Sequence, residues 1–435
     1  MTIKNIGLLG HGTIGSEVRA MLHANQDRYE QKVGCPLAIT RVGVRHLSKH
    51  PQVPHGILTT DIDSIVEDPS IDLIIAVLGD EEREYSAMHK ALSDGKKVVT
   101  ANKKVLANHW PSFADYIFPF SGELWFEAAV CAGIQITDNL LNRYVSVRFN
   151  GCDGVVNGTT NYMYTQMRDF GMSFGAALRN AQKRGYAEPD PTDDVDGYDA
   201  VYKLSILATL AFDRYVRPSN ISRQSMRVSQ GLRAIKQHDW FYATKLGGTF
   251  RMIASAHLIN DVIHPWVAPA FVPQHHILRN VDGVLNGLYL TSDSLGETGL
   301  IGRGAGPKAT AASIWSDVLC AFGQDRPRIE RNHEYDQALP EASVTYTDDC
   351  ASRHYIRMTV RDEPGVLGSI GTIFGNRKVS IEQFLQPPEG KFEDGVHEMI
   401  ILTDPNGEKH FQKALKEVRK QSYCLKIATV LRAIS

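Results

Sequence analysis

The first 130 residues alternate between two hydrophobic rhythms. Short, nearly continuous apolar runs at 3–10, 37–44, 73–78, 97–100 and 124–128 predict buried strands. Between them apolar residues return at helical spacing: Ile14, Val18, Met21 and Leu22 share one face directly after the first run. Strands alternating with helices predict βαβ units and a parallel sheet, hence an α/β domain. Farther on, Val201, Leu204, Ile206 and Leu207 lead a stretch that is apolar nearly all round through Phe212, the pattern of a buried helix. Residues 331–352 lose periodicity and predict a linker. The pattern then resumes with alternation over 354–360 and helical spacing at Val366, Leu367, Ile370, Ile373 and Phe374. Strand-like runs at 379–385 and 396–402, another helix, and a last strand ending near Leu431 complete it. The order βαββαβ predicts a ferredoxin-like unit over 353–435.

Composition changes this picture little. A chain of 435 residues has room for two or three domains, and 43% hydrophobic with 22% charged residues is ordinary for a globular protein. A net charge of −2 supplies no global field for nucleic acid or an anionic membrane, so neither is expected as a partner. Six scattered cysteines, without a CxxC pair, read as reduced thiols. No apolar run approaches the roughly 20 residues that span a bilayer, and the chain opens directly into a strand without an export signal. A cytoplasmic protein is the expectation.

The loop after the first strand carries chemistry. Gly10-His-Gly12-Thr13-Ile14-Gly15 sits between a predicted strand and a predicted helix, the context in which G-x-G-x-x-G binds a dinucleotide. The first glycine permits the tight turn, the second admits the pyrophosphate, and the third lets the helix pack on the strand. Free N–H groups at the helix start then face the phosphates. The second strand ends at Arg45 where an acid for the ribose hydroxyl is common. With His46 and Lys49, Arg45 points to a 2′-phosphate and so to NADP over NAD. Lys103, after the strand at 97–100, falls at the carboxyl ends of the strands, where an open parallel sheet binds its ligand.

Six carboxylates stand within residues 188–199, followed by Lys203. A charge run is commonly a solvated face. Here prolines stiffen the segment, Gly197 punctuates it, and Asp199 and Lys203 lie four apart at the start of the apolar helix, on one face. That arrangement points to a polar site for a small charged molecule. An EF-hand is excluded, because Thr192 and Lys203 occupy positions where the calcium loop needs acids.

Several segments together resemble homoserine dehydrogenases. They are the 10–15 loop, Thr100-Ala-Asn-Lys103, Glu127-Ala-Ala-Val130-Cys-Ala132-Gly-Ile134, Gly154-Val-Val-Asn157-Gly-Thr-Thr-Asn161, residues 185–204, and Gly302-Arg-Gly304-Ala-Gly306. The resemblance spans about residues 3–320. It implies a Rossmann-type nucleotide-binding domain at 1–135, completed by part of 301–330, and an α/β catalytic and dimerisation domain with an open sheet at 136–330. The implied reaction is the reversible, NAD(P)H-dependent reduction of L-aspartate 4-semialdehyde to L-homoserine. Lys203 and Lys103 match the lysines of proton transfer and aldehyde polarisation. Glu188, Asp199, Thr159 and Gly185 match substrate-contacting positions. Gly10, Gly12, Thr13, Ile14, Gly15, Arg45, Gly79, Lys103 and Gly304 match cofactor contacts. Glu127, Val130, Ala132 and Ile134 match a monovalent-cation site, sodium or potassium, built largely from backbone carbonyls. Near Ala76-Val-Leu78-Gly79-Asp80 and Gly306-Pro307-Lys-Ala309-Thr310 the chain departs from the family pattern.

The turn Asp362-Glu-Pro364-Gly365-Val-Leu resembles the start of an ACT domain, a module that commonly binds amino acids. It implies feedback by L-threonine, with a homodimer or homotetramer as the assembly. Two other readings compete: a 2-hydroxyacid dehydrogenase with an ACT module, and a non-catalytic amino-acid or dinucleotide sensor. The first would use a catalytic histidine paired with an acid, and the Asp199 and Lys203 constellation argues against it. The second does not account for the retained Lys103, Glu188, Asp199 and Lys203.

Overall fold

The continuous apolar runs form a parallel sheet. In the structure, a computed structural model that describes residues 3–117, 123–224, 235–323, 351–388, 391–392 and 395–434, the strands are β1 (Lys4–Leu9), β2 (Leu37–Gly43), β3 (Leu58–Thr59), β4 (Leu73–Ala76), β5 (Lys97–Thr100) and β6 (Leu124–Trp125). Their order is β3-β2-β1-β4-β5-β6, parallel throughout. The connecting helices include α1 (Thr13–Val33), α2 (Asp63–Val66), α3 (Glu81–Ser93) and α4 (Lys103–Ile117). Every residue of β4 is buried, as a strand covered by helices on both faces requires. The strand expected over 124–128 stops at Trp125. The backbone then turns into a 3₁₀ segment, and the Glu127 N–H donates to the Asp317 carboxylate at 2.9 Å instead of to a neighbouring strand.

After α5 (Ile136–Asp138) come β7 (Phe149–Val155), α6 (Gly158–Phe170), α7 (Phe174–Lys183), α8 (Thr192–Val195) and α9 (Tyr198–Phe212). Next are β8 (Ser222–Arg223), α10 (Gln237–Lys245), β9 (Gly248–Ile259), β10 (Val262–Pro273), β11 (Leu285–Ser292), β12 (Gly296–Arg303) and α11 (Pro307–Phe322). The C-terminal part contributes β13 (Ala351–Arg361), α12 (Val366–Asn376), β14 (Ile381–Leu385), β15 (Lys391–Phe392), β16 (Val396–Thr403), β17 (Asn406–Gly407), α13 (Glu408–Val418) and β18 (Cys424–Ala433). All but two residues of the linker expected over 331–352 lie outside the described residues.

Two compact units result. The first gathers the described parts of Met1–Phe149, Tyr202–Pro218 and Gly302–Ala342, and the second those of Asn150–Val201, Ser219–Ile301 and Ser343–Ser435. In the first, α11 joins the core of the parallel sheet: Ile314, Trp315 and Val318 pack with Ile6, Leu8 and Val18, and the Trp315 indole donates to the Val18 carbonyl at 2.9 Å. The body of α9 from Tyr202 onward belongs to this unit as well, and just beyond its end the Tyr215 hydroxyl donates to the Ala107 carbonyl at 2.8 Å.

The second unit is built on a large sheet in the order β12-β11-β7-β9-β10-β18-β13-β16-β14. Its last four strands are the predicted ferredoxin-like unit, with Ile370 and Phe374 of α12 and Phe411 of α13 in one core with Ile356 and Met358 of β13. The unit is not a bead on a string. Strand β18 pairs in parallel with β10, Ala270 opposite Arg432 and Phe271 opposite Ala433, so one sheet runs through both parts. Behind that join lies a buried ionic network. Arg357 on β13, 2% exposed, donates through Nε to Asp239 of α10 and through Nη1 to Glu398 of β16, each at 2.6 Å. The Tyr355 hydroxyl donates to Asp239 at 2.9 Å, the Tyr242 hydroxyl to Glu398 at 2.8 Å, and the Lys236 N–H to Asp239 at 2.7 Å. Desolvation opposes the Arg357 charge, but the pull of Asp239 and Glu398 exceeds it and raises its pKa.

Candidate functional site

The two units carry separate sets of the expected residues. In the first, the three glycines of the loop play three parts. Gly10 has φ +101°, and a Cβ there would meet the Val77 carbonyl oxygen at 2.4 Å. A Cβ at Gly15 would meet the Gly10 oxygen at 2.0 Å, so helix and strand touch only because the side chain is absent. Over Gly12 there is open space. It therefore leaves room for something other than protein. Gly12 is also the N-cap of the 21-residue α1 and supplies no side-chain acceptor, so the first-turn N–H groups with Thr13 and Ile14 are left for a ligand. A phosphate-bearing cofactor fits this cradle.

Beside the loop is a cavity of about 320 Å³ lined by Gly10, Gly12, Arg45, Lys49, Asp80 and Arg83, among others. The expected cluster of Arg45, His46 and Lys49 does gather at one opening, and Arg83 of α3 and His50 join it. Arg45 lies 3.6 Å from Asp80, but both side chains are largely exposed, 68% and 44%, so the pair is weak and separable. His11 is buried, with its Nδ1 3.3 Å from that of His50. Burial, then the His50 and Arg19 charges, lower its pKa and favour the neutral ring.

At the carboxyl ends of β4 and β5 the organising group is Glu84, which nothing in the sequence singled out. It is fully buried on α3. One carboxylate oxygen accepts the Gly79 N–H at 2.9 Å and the other the Thr100 hydroxyl at 3.1 Å. Thr100 Oγ1 in turn accepts the Asn102 N–H, and Asn102 Oδ1 accepts the N–H groups of Lys104 and Val105. One carboxylate thus fixes the positive-φ turn at Gly79 and the loop that delivers Lys103. Desolvation raises the Glu84 pKa against these hydrogen bonds. The adjacent lysines differ: Lys104 is exposed and pairs with Glu81 at 3.0 Å, whereas Lys103 is half-buried at the first residue of α4.

The segment from Glu127 to Ala132 is buried, and the chain kinks as it surfaces at Gly133. Cys131 and Gln135 hold left-handed backbone, φ +50° and +57°, which turns the peptide planes carrying the Val130 and Ile134 carbonyls. The Ala132 carbonyl accepts from Ser313, and a Cβ on Gly133 would strike the Arg303 carbonyl. The Glu127 carboxylate is used inside the protein. It accepts the Thr137 hydroxyl at 2.6 Å and the Asp138 N–H at 2.7 Å, and burial raises its pKa. Gly304 is buried just before Gly306 and α11.

In the second unit the acidic segment folds around Asn157, the N-cap of α6. Its Oδ1 accepts the Thr160 N–H at 2.8 Å. Its Nδ2 donates to Asp194 at 2.7 Å and to Asp199 at 2.9 Å, so two carboxylates meet on one amide. The Thr159 hydroxyl donates to the Tyr186 carbonyl at 2.7 Å, next to Gly185, which turns with φ +73°. Glu188 is exposed, and its carbonyl accepts from Gln182. Asp190 caps the short turn into α8, accepting from Thr192 N–H and hydroxyl. Helix α9 starts in this unit, with Asp199, and continues into the part of the chain that belongs to the first, with Lys203 one turn on; both residues are buried, as are residues 203–212 throughout. Asp194, given no role by sequence reasoning, is brought to Asp199 through Asn157, a residue 37 positions away.

Among the described residues no cluster of three histidine, cysteine or acidic side chains suits a metal, and no helix is long and apolar enough to cross a membrane. Residues 136–319 match the family model for homoserine dehydrogenase, residues 10–115 that for the homoserine dehydrogenase NAD-binding domain, and residues 354–420 that for the ACT domain. A homoserine dehydrogenase of Synechocystis sp. is 34% identical over 451 aligned positions, covering 100% of both chains. One from Bacillus subtilis is 33% identical, over 96% of this chain and 95% of that one. The crystal structure of a homoserine dehydrogenase from Thiobacillus denitrificans superposes with a TM-score of 0.87 at 27% identity, covering 100% of this chain and 99% of that one.

Proposed function

This chain belongs to the homoserine dehydrogenase family and is an oxidoreductase, and we propose that it interconverts L-homoserine and L-aspartate 4-semialdehyde, with NADP preferred over NAD. The observation that carries the reading is the start of α9, where Asp199 is held by a buried amide and Lys203 follows one turn later, itself buried. The bound nicotinamide supplies or accepts the hydride. In the oxidising direction neutral Lys203 takes the hydroxyl proton as hydride leaves the same carbon, and a carbonyl forms. In the reducing direction the Lys203 ammonium returns that proton to the oxygen. Lys103 provides positive charge where the oxygen becomes anionic. Asp199 and Glu188 take the substrate ammonium, and Thr159 and Gly185 shape its place.

The proposed cofactor contacts are Gly10, Gly12, Thr13, Ile14, Gly15, Gly79, Lys103, Gly304 and, for the 2′-phosphate, Arg45. The cations round the cavity beside the loop support NADP. Arg45→Ala is expected to raise KM for NADP+ by roughly tenfold and leave KM for NAD+ unchanged. Equal changes for both cofactors would remove the assignment. A sodium or potassium ion fits the carbonyls of Glu127, Val130, Ala132 and Ile134, since oxygen donors suit hard cations and two left-handed residues re-aim two of these groups.

The proposed domains are 1–135 with part of 301–330 for the cofactor, 136–330 for catalysis and dimerisation, a linker at 331–352, and 353–435 for regulation. We assign the chain to cytoplasmic threonine and methionine biosynthesis, as a homodimer or homotetramer. L-Threonine is the proposed effector of the ACT domain, whose turn at Gly365 (φ +90°) opens α12.

A further inference from the structure

We propose that Asn157 is a positioning residue of the substrate site, its single amide holding the Asp194 and Asp199 carboxylates together. The proposal rests on the reading that Asp199 receives the substrate ammonium. The amide has two donor hydrogens and one strong acceptor oxygen, and the structure uses all three. The oxygen caps α6 through Thr160 N–H, which fixes the orientation of the group. The nitrogen then has one hydrogen for Asp194 and one for Asp199, at 2.7 and 2.9 Å. Asn157 is itself buried, so water does not replace these bonds.

The arrangement answers an electrostatic difficulty. Two carboxylates brought close in a partly buried place repel, and one of them then tends to keep its proton. A neutral group that donates to both stabilises both anions without adding a cation that would compete with the ammonium. A lysine or arginine in this place would neutralise the subsite; an apolar residue would supply neither donor. Asn also couples the geometry to the fold, because the cap and the clamp are one rigid plane. Moving either carboxylate would strain the start of α6.

Capping and clamping are separable. Serine and aspartate both cap helices about as well as asparagine, so both variants keep the α6 cap; Asn157→Asp deletes the two donors, and Asn157→Ser leaves at most one, on a shorter side chain that cannot hold both carboxylates. In the full chain with saturating NADP+, Asn157→Ser is expected to raise KM for homoserine by at least about tenfold, with KM for NADP+ and the melting temperature little changed. Asn157→Asp adds a third negative charge. It is expected to move the acid limb of kcat/KM to higher pH, because the carboxylates then ionise later. Wild-type KM in Asn157→Ser, together with an unmoved acid limb in Asn157→Asp, would reduce Asn157 to a helix cap and overturn the proposal. Asp199→Asn is measured alongside. A raised KM there with an unchanged KM in Asn157→Ser overturns the positioning role alone. Unchanged KM in both overturns the substrate reading of Asp199 as well.

Discussion

Replacing Arg357 by leucine is the sharpest perturbation of the fold. The guanidinium lies between Asp239, 0% exposed, and Glu398, 4% exposed, and also reaches Thr429 at 3.1 Å. Leucine leaves both acids buried. The Tyr355 and Tyr242 hydroxyls and the Lys236 N–H still satisfy lone pairs but do not neutralise charge, and His238, 3.6 Å from Glu398, does so only once acid protonates it. Removing one partner of a buried ion pair costs about 3–5 kcal/mol, and two stranded acids place Arg357→Leu at the upper end of that range. Urea unfolding followed by circular dichroism measures it. The deficit is expected to shrink on acidification: the stranded carboxyls have raised pKa values in the folded variant, so their penalty is full above those values and fades as pH falls through them. Adding Asp239→Asn and Glu398→Gln removes the uncompensated charges and is expected to recover most of the loss. A deficit under about 1 kcal/mol, or one independent of pH, would refute the reasoning.

Other tests follow from the same structure. Glu84→Ala removes the acceptor of the Gly79 N–H and the partner of the Thr100 hydroxyl, and so the support of the loop before Lys103. KM for NADP+ is expected to rise and kcat to fall, with KM for homoserine less affected. Asp153 and His257 pair at 3.1 Å; the Asp153 charge raises the His257 pKa, and despite desolvation the histidine lowers that of Asp153. The raised histidine contributes stability below its ordinary 6.5 and loses it as pH rises through the folded value. The lowered aspartate contributes above its ordinary 3.8 and loses it as pH falls through its own folded value. His257 is 40% exposed, so the effect is small, under about 1 kcal/mol. Melting of His257→Gln relative to the parent checks it: the difference should be larger at pH 5.5 than at pH 8.5. Threonine inhibition is best tested in the full chain, with Asp362→Ala expected to weaken inhibition and leave uninhibited turnover intact. Cutting near residue 350 removes Arg357 and Tyr355 from buried Asp239 and strips β18 from β10, so the shortened chain is expected to unfold at lower urea.

What the sequence made legible was local. The strand, the glycine loop and α1 are contiguous, and the roles of Gly10, Gly12 and Gly15 follow from their spacing. The buried helix after Gly197 and the βαββαβ order are likewise readable as runs. The strand at 124–128 was overestimated because its competitor, Asp317, is 190 residues away. Glu84 looks like any acid in the first turn of a helix, and only the fold shows that both its oxygens point into the sheet. Asn157 reads as a cap, while its carboxylate partners stand 37 and 42 residues on. Arg357 occupies the polar phase of an alternating strand, a pattern that predicts a solvent-facing side chain. Helix α10 covers that face, and burial reverses the meaning of the charge. Of the six acids in the 188–199 segment, spacing could not divide one held by an amide, Asp199, from one capping a turn, Asp190.

The proposed proton-transfer group, Lys203, stands on α9. Oxidation of homoserine by the purified full chain, read as the absorbance of reduced nicotinamide, tests that role when wild type is compared with Lys203→Ala. Wild type is expected to turn over with NADP+, and Lys203→Ala to lose about 100-fold or more in kcat, with KM for homoserine little changed. Wild-type turnover in Lys203→Ala would contradict that role.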